Sequence, residues 1–303
     1  MIVVHTKRES TITVLLERGS VLMAETGISG GILRELTDTV RYAVRGIPDR
    51  LSVEDVRIGI YYTAVKLNSG HAGVAYSPTH DIPQSRCCPI SQNRMRNAGD
   101  LLDLCLLEFV DLVHSENLLE SAVGVATVNA LSNLLMEYGR PGYRILGDDV
   151  DTLGLLDVGP EDTVSIIGAF PPVIKHLGQF TKHIYVIERN PKAQVDVALE
   201  PEEASKSLLP RSDIVVFTGA TIVNHSFENL LSLCKKAREV VLLGPTCSMI
   251  PEPFFEHGVT LMGGLRVYDG NRLLQVVSQG GSGNHFYESC ARKITVARAD
   301  RLS

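Results

Sequence analysis

Tryptophan is absent from the 303 residues, and all aromatics together make up 6% of the chain. That leaves too few rings for the stacking platforms that hold single-stranded nucleic acid. A strong charge of either sign is also missing. With 29 Lys and Arg against 35 Asp and Glu the net charge is −6, which supplies neither the basic footprint of a nucleic-acid binder nor a polybasic patch for an anionic membrane. Apolar runs such as "VSIIGAF" and "VVLLG" are strand-length, too short to span a bilayer. The N-terminal "MIVVHTKRES" has charges where a signal peptide needs an apolar core, so the expected location is the cytoplasm. The six cysteines (87, 88, 105, 234, 247 and 290) are scattered and do not form a disulfide framework. The vicinal Cys87-Cys88 pair departs from C-x-x-C and is poorly suited to chelating one structural zinc.

What is present is an ordinary globular composition, 44% apolar and 21% charged. The two halves of the chain differ. From about residue 160, β-branched runs recur at "TVSIIG", "HIYVIE", "DIVVFTG" and "EVVLLG", spaced by roughly a strand plus a crossover helix. They are apolar throughout, the pattern of parallel strands buried on both faces. Helical spacing fills the gaps, as in "SFENLLSLCKKA" with Phe227, Leu230, Leu231 and Cys234 on one face and a cap at Asn224 or Ser226. This predicts an α/β fold with a C-terminal Rossmann-like domain over 146–303.

The first half, 1–145, mixes elements and predicts an α+β domain. "GILRELTDTVRYAV" carries Leu33, Leu36, Val40 and Ala43 at helical spacing. "VRIGIYYTAVKLNSGHAGVAYSP" reads as two strands around a turn at Asn68-Ser69-Gly70. Helical stretches follow near 100–114 and 117–138, the second with Ala122, Ala126 and Ala130 four apart. The junction falls between Gly139 and Gly159, where turn formers collect. The apolar "IGIYYTAV" offers a sheet edge for a homodimer.

In a doubly wound sheet, ligands bind outside the carboxyl ends of the strands. The segments there are "GAFPP", Glu188 to Pro191, "TGATIVN", "GPTCSMIPEPFF" and Gly263-Gly264. Glycine and proline after a strand are ordinary turn formers, but five such loops on one edge point to a ligand site. Glu188 lies 20 residues after Gly168, where an acid commonly holds a ribose hydroxyl, though a solvated acid at a strand end fits equally. Pro171 removes a donor that a pyrophosphate needs, which disfavours NAD and FAD and leaves S-adenosylmethionine or another heterocycle. Thr218, Thr221 and Asn224 are candidate ligand contacts or local helix caps. Cys247 invites comparison with a nucleophile, and His71 could reach the cleft, although Cys247 reads first as a small loop cysteine and His71 as a surface histidine. No P-loop, H-E-x-x-H or G-x-S-x-G is present, and no metal constellation stands out.

The stretches "IIGAFPPVI", "LLPRSDIVVFTGATIVNHSFENLL", "REVVLLGPTCSMIPEPFFEHGVTLMGGLRVYD" and "VSQGGSG" together resemble the putative heavy-metal chelation domain family, of unknown function. The resemblance runs through nearly all of 145–297. It implies a Rossmann-like domain after one similar to the N-terminal domain of enolase, with a site in the cleft between them. It also implies a link to metal-chelating small molecules or to synthesis of pterin-, flavin- or siderophore-like compounds. The family pattern falls on Gly168, Phe170 and Pro171 in the first loop and on Glu188 in the second. In the third it falls on Thr218, Gly219, Thr221 and Asn224. It ends on Gly244, Pro245 and Thr246, and then on Gly263, Gly264 and Arg266, the last a partner for a ligand carboxylate or phosphate. Cys247 and the lead before residue 20 depart from it. Two alternatives stand beside this expectation: a methyltransferase-like enzyme using S-adenosylmethionine, and a soft-metal carrier using Cys87, Cys88 and Cys247. No cofactor and no catalytic base is named by these residues.

Overall fold

The computed structural model describes residues 31–47, 50–79, 95–138, 142–147 and 150–302. The first half opens with helix α1 (Ile32–Arg45), whose Leu33, Leu36, Val40 and Ala43 are buried along one face as the spacing predicts. An antiparallel sheet follows: β1 (Val53–Ile58), β2 (Tyr62–Leu67) and β3 (Ala72–Tyr76), in that order. The expected hairpin is present, but the chain breaks between Ile58 and Tyr62 and so yields a third strand. The helix expected near 100–114 is also broken. Leu104 and Cys105 are extended, and only α2 (Leu106–Asp111) is α-helical, flanked by 3-10 turns. The Glu108 side chain accepts from Cys105 N at 2.7 Å, which fixes where α2 starts. Helix α3 (Leu118–Met136) then runs its predicted course.

The second half builds an eight-stranded sheet. Its elements are β4 (Tyr143–Leu146), β5 (Val164–Ile167), α4 (Pro171–Leu177), β6 (Ile184–Ile187), β7 (Leu199–Glu200), α5 (Ser205–Leu208), β8 (Ile214–Thr218), α6 (Ala220–Val223), α7 (Phe227–Leu231), β9 (Glu239–Leu243), α8 (Glu252–Glu256), β10 (Leu261–Val267), α9 (Gly270–Ser278), α10 (Gly283–Ser289) and β11 (Ala291–Arg298). The order is β4-β11-β10-β9-β8-β5-β6-β7. Strands β5 to β10 pair in parallel, while β11 is antiparallel to both β10 and β4. The protein is thus α/β with a mostly parallel sheet. The edge strands β4 and β7 escape the sequence pattern because they are short and half-exposed. Strand β11 escapes it because charges interrupt its apolar run. Strand β4 straddles residue 145 and belongs to the large sheet.

Burial on both faces follows the apolar runs. In β8, Val215 and Phe217 join one core, and Ile214 and Val216 join the other, under α4. The small sheet is gripped from two sides. Its Val65, Leu67 and Ala75 share the core with α3, and its Ala64, Ala72 and Val74 pack on Leu273, Val277 and Phe286 of α9 and α10.

All of α3 beyond its first two residues is buried. At 19 residues it is long and apolar enough to cross a membrane, a length the strand-sized runs do not anticipate, yet 89% of its apolar window is buried in protein. Close packing against β3 depends on Gly73, where a Cβ would lie 2.2 Å from Ala130 N. The polar residues of α3 act as docking points. Asn133 Nδ2 donates to Ala72 O at 2.7 Å, and Asn129 Nδ2 donates to Val74 O at 2.8 Å, so side chains cover the outer edge of β3. Asn129 Nδ2 also reaches Thr246 O at 2.8 Å, Ser121 Oγ donates to Val223 O at 2.8 Å, and Ile250 N donates to Ser132 Oγ at 3.0 Å. At the N-terminal end, the buried Glu120 carboxylate accepts from Arg96 Nε at 2.7 Å and from Ser115 Oγ at 2.6 Å.

Two outcomes are expected. Asn129→Ala strips two buried carbonyls of their donor and should cost about 2–4 kcal/mol in urea unfolding with an unchanged m-value; a loss below about 0.5 kcal/mol would contradict the docking role. The Arg96 hydrogen bond holds the Glu120 carboxyl below its ordinary 4.5, followed by the opposing effect of burial and a further lowering by Ser115. A depressed folded-state pKa contributes stability above the unfolded value that is lost as pH falls through the folded one. The stability gap between wild type and Arg96→Ala should therefore be full at neutral pH and close below pH 4.5. A gap independent of pH would show that Arg96 acts by packing alone.

Candidate functional site

From β5 the chain moves first to β6 on one side and later to β8 on the other, so the strand order reverses between β5 and β8. Loops leaving the two strands diverge there and leave a crevice. A cleft of about 1720 Å³ occupies it. The strand ends Ile167, Ile187 and Leu243 form its apolar floor, and Tyr62 and Tyr76 of the small sheet, with Ile60 and Thr79 from the segments beside its strands, form the facing wall. The wall is fixed to the floor by Tyr76 N, which donates to Thr246 Oγ1 at 2.9 Å, and by the Asn129 amide behind both.

The first loop turns at Gly168, whose φ of +99° suits glycine and where a Cβ would stand 2.7 Å from Thr218 Oγ1. Phe170 follows, half-buried on the cleft, and Pro171 begins α4. Glu188 joins the first and second loops: its Oε2 accepts from Ala169 N and its Oε1 from Asn190 N, both at 2.7 Å. In the third loop Thr218, Gly219, Thr221 and Asn224 all line the cleft. Part of their capacity is used locally, as Thr221 Oγ1 donates to Thr218 O, and Asn224 Oδ1 accepts from Ser226 N and Ser226 Oγ. The N-cap residue of α7 is Ser226, which makes no side-chain capping bond and is itself held by Asn224 Oδ1. Gly244, Pro245 and Thr246 complete the cleft.

Ten of the fourteen expected residues thus converge. Pro171 does not line the cleft and serves as the first residue of α4. Gly263 and Gly264 are buried inside β10 behind the β9 loop, with Gly244 N donating to Gly263 O at 2.9 Å. Arg266 lies farther along β10 and pairs with Glu137 at 3.0 Å, outside the cleft. The family pattern placed it with the site, but its position on β10 carries it away. The same Glu137 lies 3.4 Å from His71, which likewise faces away from the cleft. Cys87 and Cys88 lie outside the described residues.

Cys247 is 2% exposed, and burial pushes its thiol well above the usual range, which excludes a resting thiolate nucleophile. Among the described residues no group of three or more His, Cys, Asp and Glu side chains could hold a metal ion. The residues that sequence reasoning misses are Tyr62 and Tyr76, directly opposite each other across β2 and β3. A two-residue period through "YTAV" and "VAY" carried that signal. Burial, then the neighbouring Tyr287, Cys247 and Tyr76, raise the Tyr62 phenol, so it stays neutral and able to donate.

Two family models match the chain, both described as "Putative heavy-metal chelation", one over residues 151–296 and one over 40–132. An uncharacterized protein of Methanocaldococcus jannaschii is 28% identical over 192 residues, 63% of this chain and 71% of its own. Two solved structures of proteins with unknown function from the DUF364 family, from Desulfitobacterium hafniense and Pyrococcus horikoshii, each superpose with a TM-score of 0.68. Each is 24% identical and covers 88% of this chain and 98% of its own. They share the fold.

Thiol labelling tests the placement of the cysteines. In the native protein a maleimide should modify the exposed Cys105 and leave the buried Cys234, Cys247 and Cys290 unmodified until denaturant is added. Native modification of Cys247, read by peptide mapping, would overturn its placement as an inert core residue.

Proposed function

The chain belongs to the family described as putative heavy-metal chelation, and from that premise we propose that it binds a small, polar, planar molecule, heterocyclic or metal-chelating, in the cleft between the small sheet and the large one. The observation that carries this reading is the convergence of loops from β5, β6, β8 and β9 with the Tyr62–Tyr76 pair on one cavity. The tyrosine rings offer an apolar wall. Glu188, Thr218 and Asn224 offer placed polar groups that orient a ligand. With no three-ligand metal cluster among the described residues, a metal would arrive held by the small molecule. The same site suits the making or handling of pterin-, flavin- or siderophore-like compounds. A cytoplasmic setting is part of this proposal, since such ligands are made and used there.

A second reading, binding of S-adenosylmethionine, rests on the switch-point location and on Glu188 at the end of β6. Native mass spectrometry of gently purified protein, compared with the denatured sample, separates the readings. The expected result is an organic mass bound to the folded protein and lost on unfolding. The mass of the methyl donor would select the second reading, and a bare metal ion would overturn the first in favour of a thiol carrier.

A further inference from the structure

The loop after β5 sits where α/β proteins commonly seat an anion on backbone N–H groups, yet its donors have been withdrawn. Gly168 N donates to Ile187 O at 2.9 Å within the sheet, and Ala169 N donates to Glu188 at 2.7 Å. Pro171 and Pro172 carry no N–H. Across 168–172 only the Phe170 amide is left for a ligand. The anion's place is taken by the protein's own carboxylate, held from the other side by Asn190 N. Two cations also line the cleft: Arg189, which pairs with Glu202 at 3.2 Å, and Lys192, which is exposed. A carboxylate oxygen has about two acceptor sites. Glu188 therefore keeps roughly one open position on each oxygen, in an orientation the two backbone bonds fix.

We propose that Glu188 is the specificity-determining group of the cleft, selecting a ligand that presents N–H donors, as an amine, amidine or 2-aminopyrimidine edge does, and rejecting phosphate esters at this loop. The selection rests on the cleft being a small-molecule site. It works by attraction and by exclusion at once: a donor edge meets a charge-assisted acceptor, while a phosphate meets a like charge with no amide cradle to compensate.

The test is nitrogen-15 NMR of the full chain titrated with two probes, 2-aminopyrimidin-4-one and inorganic pyrophosphate, in wild type and Glu188→Gln. The expected result is that the aminopyrimidinone shifts the Ala169 and Asn190 amides in wild type and binds about tenfold more weakly to the variant. Pyrophosphate should leave those amides unmoved in wild type. Pyrophosphate binding at Ala169 and Phe170, aminopyrimidinone affinity indifferent to Glu188→Gln, or no aminopyrimidinone binding at millimolar concentration would each overturn the proposal. If the variant fails to fold, the two probes in wild type still decide. Shifts confined to Thr218 and Thr246 would sink the role of Glu188 while keeping the cleft as a binding site. An absence of any probe shift together with no organic adduct in native mass spectrometry would count against both.

Discussion

A single buried helix carrying amides and hydroxyls on an otherwise apolar surface is the constraint on which the rest of this protein depends. Helix α3 pairs the amide N–H groups of Asn129 and Asn133 and the hydroxyls of Ser121 and Ser132 in the core, because an unpaired buried donor is costly. Each therefore dictates where another element must sit. Asn129 and Asn133 hold the edge of β3, and Ser121, Asn129 and Ser132 hold the segments after β8 and β9. An apolar helix of the same shape would bury as much area but would tolerate sliding. The amides make the register of the small sheet against the large one a matter of satisfied hydrogen bonds.

That register creates the cleft. The floor is a consequence of strand order, which any sheet of this topology provides. The wall is there because Asn129 bridges Val74 O and Thr246 O, placing β3 over the β9 loop, with Tyr76 N closing the contact on Thr246 Oγ1. The ligand-facing residues are thus held by atoms that face away from the ligand. A similar economy governs the first two loops, where Glu188 both ties the loops together and remains an acid of the cleft.

Much of this was legible in the chain. The β-branched runs identified the parallel strands because burial on both faces demands apolar residues at every position. The glycine-rich loops were legible as a set because parallel strands present their carboxyl ends on one edge. The short or charge-broken edge strands were not, since an edge strand is half-buried and its pattern competes with exposed loops. Tyr62 and Tyr76 lie fourteen residues apart and meet only across a ladder. Arg266 shows the converse: the family pattern falls on it, yet from its place on β10 its side chain pairs with Glu137, away from the cleft.

The sequence by itself determined the α/β class, the strand-end loops and their small polar residues, because these follow from local periodicity and turn chemistry. Only the tertiary structure decided which of those residues share a cavity, that Cys247 is sealed in the core, and that the β5 loop offers a carboxylate where a phosphate cradle would offer amides. Such properties depend on contacts between segments distant in the chain, as when Ala169 N, Asn190 N and Glu188 come within hydrogen-bonding distance, and no local pattern encodes them.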